Sequence, residues 1–168
     1  MLVVGIGGKS KSIGYESEGC TNEQYQSHFA LWCMMASPLL CGNDVRQMND
    51  STLQILLNKD LIAINQDLEA RGAYVIKPLP DAYNENEAFI LVKPLADGDL
   101  AIGIFNFSDT QRELSLEFWD MGIPYAAGVS LSLHDCITGE ELGEFTERFA
   151  PVVPSHGCVV VRARIVEK

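Results

Sequence analysis

The pattern of apolar and polar positions changes its period near Asp67. Upstream, short unbroken apolar runs alternate with stretches of helical spacing. The run "MLVVG" at residues 1–5 predicts a fully buried strand of a parallel sheet, and a polar, Gly- and Ser-rich loop follows it to Gly19. "TNEQ" predicts a capping box, with Thr21 as cap and Gln24 reaching back to it. Tyr25, Phe29, Trp32 and Ala36 recur on one helical face, and Pro38 ends that helix just after Ser37. "PLLCG" is a second short buried run, followed by a polar turn, "NDVRQMND". "STLQILLNKDLIAIN" predicts another helix, with Leu53, Leu56 and Leu57 on one side and Asp60 as a second cap. Strand, helix, strand, helix: these are two successive βα units.

Downstream the period falls to two. "RGAYVIKPLP", "EAFILVKPL", "DLAIGIFNF", "RELSLEF", "GVSLSLHDC", "EFTERFAPVV" and "CVVVRARIV" all read as strands. Leu114, Leu116 and Phe118 point one way, with Glu113, Ser115 and Glu117 between them. Val159, Val161, Ala163 and Ile165 do the same against Arg162 and Arg164. Asp97-Gly98 between two strands marks a hairpin. Short strands with turns at regular spacing predict an antiparallel β-sandwich. The fold class is therefore α/β plus all-β, divided into residues 1–70 and residues 71–168.

Composition narrows the chemistry. The chain has 168 residues, 47% of them hydrophobic, which is enough to bury a core. Its formal charge of −11, from 23 acidic and 12 basic residues, argues against a nucleic-acid or anionic-membrane partner. The longest apolar stretch, "FALWCMMASPLLCG", is too short to span a bilayer and contains Pro38. Five scattered cysteines, with no CxxC pair, read as ordinary thiols and not as a disulfide framework.

Candidate motifs thin out under inspection. Gly8-Lys9-Ser10 supplies the end of a phosphate loop, but Val3 stands where the leading glycine belongs and no helix follows directly. His28, His134 and His156 lack metal-ligand spacing, and His28, near Phe29 and Trp32, reads as a core histidine. Cys33 and Cys41 sit in apolar surroundings and read as core residues too. Asp44, in "GNDVR" after the second strand, is the carboxylate best placed for function, although Asn-Asp also makes a good turn.

"MLVVG", "HFALWCMMASPLL", "GNDVR" and "NKDLIAINQD" closely resemble the C-terminal part of the α-galactosidases of glycoside hydrolase family 27. "LADGDLAIGIFNFSD" and "LHDCITGEELGEF" resemble the strand and turn motifs of that family's C-terminal β-domain. The resemblance implies that residues 1–70 hold the last two βα units, strands 7 and 8 with their helices, of a (β/α)₈ TIM barrel. It implies that residues 71–168 form the C-terminal antiparallel β-sandwich. Six βα units are then expected upstream, with Met1 as the last residue of an Asp-Pro-Asp-Met motif.

The resemblance also implies a parent that removes terminal α-galactosyl residues from oligosaccharides or glycoconjugates by double displacement, without metal or organic cofactor. Both catalytic aspartates of the family lie on earlier strands and have no counterpart here, so the chain alone is expected to be inactive. Met1 matches a position lining the galactose pocket. Asn43, Asp44 and Arg46 match the exit of strand 8 and are expected to shape the barrel mouth. A related α-N-acetylgalactosaminidase parent is equally compatible, and the compartment, cytoplasmic or secreted, stays open. Residues 1–67 are expected to be marginal in isolation and to dock on the sandwich or aggregate, since two parallel strands leave open edges. The alternative from another class is a non-catalytic β-sandwich module that binds carbohydrate or a partner. Tyr74, Tyr83, Trp119 and Tyr125 could stack on sugars, although strand alternation would place most such aromatics in the core.

Overall fold

The computed structural model describes residues 1–5, 10–12, 15–17, 19–78 and 87–167. The glycines and lysine of the phosphate-loop candidate, Gly7 to Lys9, and Tyr83 lie outside them. The chain begins on an extended segment in which Leu2 forms a single parallel bridge with Cys41. The Leu2 N–H donates to the Leu40 carbonyl at 2.7 Å, and the Gly42 N–H donates to the Leu2 carbonyl at 3.0 Å. Leu2 and Val4 are buried but Met1 and Val3 are exposed, so the continuous buried run expected at "MLVVG" is an alternating one. "PLLCG" departs from expectation in the same way, with Leu40 and Cys41 exposed. Strands of a parallel sheet are buried on both faces only when further strands and helices surround them. Among the described residues one parallel bridge stands alone.

Part of the segment read as a plain loop is an antiparallel ribbon of β1, Ser10–Ser12, and β2, Tyr15–Ser17. Pairing Ser10 with Ser17 and Ser12 with Tyr15 satisfies backbone groups that a loop would leave to water. Helix α1, Asn22–Met34, opens on the expected capping box. The Gln24 N–H donates to Thr21 Oγ1 at 3.3 Å, and the Thr21 N–H donates to Gln24 Oε1 at 2.9 Å. The helix stops earlier than Pro38 requires. Met35 caps it, and Ala36 turns left-handed at φ 51°.

The second predicted helix is two: α2, Asp50–Leu56, and α3, Lys59–Asn65. Asn49 caps the first and Asn58, not Asp60, caps the second. The buried face differs as well, since Thr52 and Ile55 point inward while Leu53 and Leu57 are exposed. The break at Leu57 rotates α3 away from the phase that a continuous helix would keep.

Among the described residues ten strands follow: β3 (Tyr74–Pro78), β4 (Ala88–Pro94), β5 (Leu100–Asn106), β6 (Arg112–Glu113), β7 (Leu116–Glu117), β8 (Val129–Asp135), β9 (Glu141–Phe145), β10 (Arg148–Phe149), β11 (Val152–Val153) and β12 (Cys158–Glu167). Six make one antiparallel sheet in the order β3-β4-β5-β12-β8-β9. The short pairs β7–β10 and β6–β11 supply the facing layer of the sandwich. The Asp97-Gly98 hairpin is present, with Gly98 at φ 89°.

Each face of the six-stranded sheet has its own core. On one side Ile90, Val92, Ile102, Ile104, Leu131, Leu133, Val161 and Ala163 meet Leu114, Leu116, Phe118, Phe149 and Val153 from the short layer. Ile165, expected on this face, lies toward the end of β12 and is exposed. On the other side Leu91, Ala101, Phe105 and Val160 meet Tyr25, Phe29, Cys33 and Met34 of α1 and Leu61 and Ile64 of α3. Burying Phe29 and Phe105 alone is worth about 2–3 kcal/mol each. The helical segment and the sheet thus share one continuous core. Gly103 makes the fit possible: a Cβ there would come within 2.7 Å of the Phe105 ring and 3.4 Å of the Met34 side chain.

Lys93 is the exception inside that core. It is fully buried, and its ammonium donates to the Ile64 carbonyl in the last turn of α3. A cation at a helix C-terminus is favourably placed. Burial pulls its pKa below the ordinary lysine value, against the opposing influence of Asp67 and the Cys33 thiol. Asn58 makes a second tie, donating from Nδ2 to the Cys136 carbonyl at 2.8 Å.

Candidate functional site

The residues expected to shape a barrel mouth gather at the exit of the Leu2–Cys41 bridge. The Met1 side chain lies against Gly42, where an added Cβ would be 3.2 Å from Met1 Cε and 2.7 Å from the Leu2 carbonyl oxygen. Only a residue without a side chain lets the two segments approach so closely. Met1 is therefore beside the residue that precedes Asn43, although its own side chain is mostly exposed.

Asp44 is fully engaged at this point. Its Oδ1 accepts from the Arg46 backbone N–H at 3.0 Å and from Arg46 Nε at 2.9 Å, while Oδ2 accepts from Arg46 Nη2 at 2.7 Å. The first of these bonds caps a 3₁₀ turn over Val45–Gln47, in the segment read as a plain polar turn. The Arg46 guanidinium holds the carboxyl below its ordinary pKa, with the backbone bond adding to the effect. An ionised carboxylate spanned by a bidentate guanidinium is a poor general acid or base. It is a good turn-former.

The histidines lie apart. His28 is half-buried, not a core residue: its Nε2 accepts from the Val3 N–H at 3.4 Å, and Trp32 packs on its ring at 4.6 Å between centroids. Burial lowers its pKa, which favours the neutral ring that an acceptor needs. His156 Nε2 is paired with Asp109 at 2.9 Å, and the Ser27 hydroxyl donates to its carbonyl at 2.9 Å. His28, His156, Cys20, Gln24, Leu31 and Phe107 border a largely apolar cavity of about 320 Å³. No cluster among the described residues could hold a metal ion, and no described helix is long and apolar enough to cross a membrane.

His134 lies in a polar groove of about 400 Å³ lined by Asp99, Ser132, Glu141, Arg162 and Arg164. Sequence reasoning did not assemble this group. Glu141 was within reach of such reasoning, because the β8–β9 hairpin sets it opposite His134. Asp60 was not, because 74 residues separate it from the ring it bonds. Arg162 Nε donates to Asp99 at 2.7 Å and its Nη2 reaches Asp97. Burial would push the Asp99 carboxyl up, but hydrogen bonds from Arg162 and Arg164 outweigh it and hold the pKa below the ordinary value.

The five cysteines are free thiols. Cys33, Cys136 and Cys158 are buried, and burial pushes each thiol up to about 12. None of these three is a nucleophile at neutral pH. Cys20 and Cys41 are exposed, the second contrary to its reading as core.

Two segments joined by a parallel bridge, with their helices, are set against an antiparallel sandwich, and this combination is also that of known proteins. Residues 12–67 match the family model described as alpha galactosidase A, and residues 85–163 match the alpha galactosidase C-terminal beta sandwich domain. The chain belongs to the α-galactosidase (melibiase) family, glycoside hydrolase family 27. Alpha-galactosidase A of Cellvibrio japonicus is 35% identical over 155 residues, covering 86% of this chain and 36% of that protein. Among solved structures, a Bacteroides fragilis protein assigned to the α-galactosidases/melibiases superposes with a TM-score of 0.81 at 52% identity, over 97% of this chain and 33% of that one. Alpha-galactosidase I of Mortierella vinacea gives 0.79 at 25% identity, over 96% and 38%. The chain spans about a third of the length of these relatives.

Proposed function

We propose that this chain is the C-terminal portion of a retaining α-galactosidase, in which residues 1–70 complete a (β/α)₈ barrel and residues 71–168 form the sandwich that backs it. The observation that carries this reading is the parallel Leu2–Cys41 bridge. A parallel pair is the pairing of a βα barrel, and it joins the two runs assigned to strands 7 and 8. In the assembled protein, Met1 contributes to the wall of the galactose pocket, and Asn43, Asp44 and Arg46 shape the mouth. The locked Asp44–Arg46 pair supports a shaping role for Asp44 and not a catalytic one.

Retaining hydrolysis needs a nucleophile and an acid/base carboxyl about 5–5.5 Å apart. By family resemblance both come from earlier strands. The 168 residues alone are therefore expected to leave a chromogenic α-galactoside intact, and a protein extended upstream by the other βα units is expected to hydrolyse it. Turnover by the short chain would overturn the reading and direct attention to its own carboxylates. An α-N-acetylgalactosaminide offered in parallel separates the two candidate parents.

One observation favours a second reading, a saccharide-binding surface. Trp119 and Tyr125, in the 3₁₀ turns Phe118–Met121 and Tyr125–Ala127, and Tyr74 on β3 are 68%, 81% and 52% exposed, while the strand residues Phe105 and Phe149 are core as expected. Exposed aromatic rings are the side chains that stack on sugar faces. Retardation of the chain on a galactoside matrix, lost in Trp119→Ala, would support this reading; passage in the void volume would remove it.

A further inference from the structure

His134 stands where the helical segment meets the sandwich. Its Nδ1 is 2.8 Å from Glu141 Oε1 on β9, and its Nε2 is 3.1 Å from Asp60 Oδ2 in the first turn of α3. Ionised carboxylates only accept hydrogen bonds; a neutral imidazole has one N–H to give, and an imidazolium has two. We propose that His134 is a proton-operated latch between α3 and the β8–β9 hairpin. With its second proton it ties Asp60 and Glu141 at once. Without it the ring keeps one carboxylate and turns a lone pair toward the other.

The neighbouring charges leave this pair in control. Arg162, the cross-strand partner of His134 on β12, is engaged by Asp97 and Asp99, and Arg164 reaches Asp99. Asp135, next on β8, accepts from the Ile137 and Thr138 N–H groups, and the Cys136 thiol stays protonated. On β9, Glu144 accepts from the Ser130 hydroxyl, and on α3 Lys59 is exposed beside Asp60. Both carboxylates act on the ring in one direction: the hydrogen bond with Asp60 foremost, and then that with Glu141, raise its pKa against partial burial. A folded-state value above the unfolded one gives stability that is complete below about 6.5 and is lost as pH rises through the folded value. The Asn58–Cys136 bond does not titrate, so opening the latch loosens α3 without releasing it.

The test follows the imidazole resonances of the 168-residue chain by NMR from about pH 5 to 9, with His134→Gln to assign the signal. The expected midpoint lies above about 6.5 and falls in both Asp60→Asn and Glu141→Gln. Amide exchange of α3, corrected for its intrinsic pH dependence, is expected to quicken about two- to fivefold above that midpoint, the size of one exposed ion pair. The extra quickening is expected to vanish in His134→Gln and in His134→Lys, whose charge does not titrate in this range. The lysine variant carries the comparison should the glutamine variant fold poorly. A midpoint at or below about 6.5, one indifferent to both carboxylates, or the same quickening in His134→Lys would overturn the latch.

Discussion

Lys93 carries a cation into the seam between helices and sheet and places it on the last turn of α3. Replacing it with methionine keeps the apolar stem and strands the Ile64 carbonyl, at an expected cost of about 1–2 kcal/mol. Lys93→Ala adds a cavity and should cost about 3 kcal/mol in urea unfolding. The pH dependence has a definite sign. Burial depresses the folded pKa, so below about 10.4 the unfolded chain binds more protons. The stability of the wild type relative to Lys93→Met should therefore rise as pH climbs toward that value, and a urea midpoint series in alkaline buffers reads it directly. Nothing in "LVKPL" announces this role. A lysine in an alternating strand reads as solvent-facing, and only the helix docked over that face makes the position interior.

At the scale of elements, legibility followed local chemistry. The Thr21–Gln24 box was readable because both partners lie within one turn of each other. The β4–β5 hairpin was readable because Asp-Gly supplies the turn. The split between α2 and α3 was not. The apolar spacing runs on across Asn58, and the competing signal is a cap whose second partner lies in a distant hairpin. Asn58 accepts from the Leu61 N–H and donates to the Cys136 carbonyl; an ionised aspartate could do the first and not the second. Asn58→Asp should thus cost about 1 kcal/mol and Asn58→Ala about 2 kcal/mol. Equal losses in the two variants, measured by chemical denaturation, would show that the tie to Cys136 contributes little. Of the residues proposed for the barrel mouth, Asp44 and Arg46 form a local pair within reach of sequence reading, whereas the contact of Met1 with Gly42 runs across the bridge.

For the whole molecule, the decisive property is a sheet covered on both sides. The sandwich pattern read from the sequence accounts for one face. The other, with Leu91, Ala101, Phe105 and Val160, is covered by α1 and α3. A chain starting at Arg71 would bare that face. It is expected to bind a hydrophobic dye and to self-associate, in contrast to the 168-residue chain under the same conditions. A monodisperse, dye-silent product would mean that the sandwich is sufficient by itself. The helical segment in turn gains from the sheet the support that its single parallel bridge cannot supply.

The place of β12 in the sheet has a consequence for synthesis. It lies between β5 and β8 and pairs with both, yet it follows them in sequence by more than fifty and more than twenty residues respectively. A ribosome therefore releases β3-β4-β5 and β8-β9 as two ribbons, each with an unpaired edge, and the strand that joins them emerges after both. Until Cys158 to Glu167 clear the exit tunnel, the nascent chain offers two open templates to any other strand nearby. Chaperone demand should peak at that stage, and a premature stop before Cys158 should yield not a shortened folded chain but an aggregate.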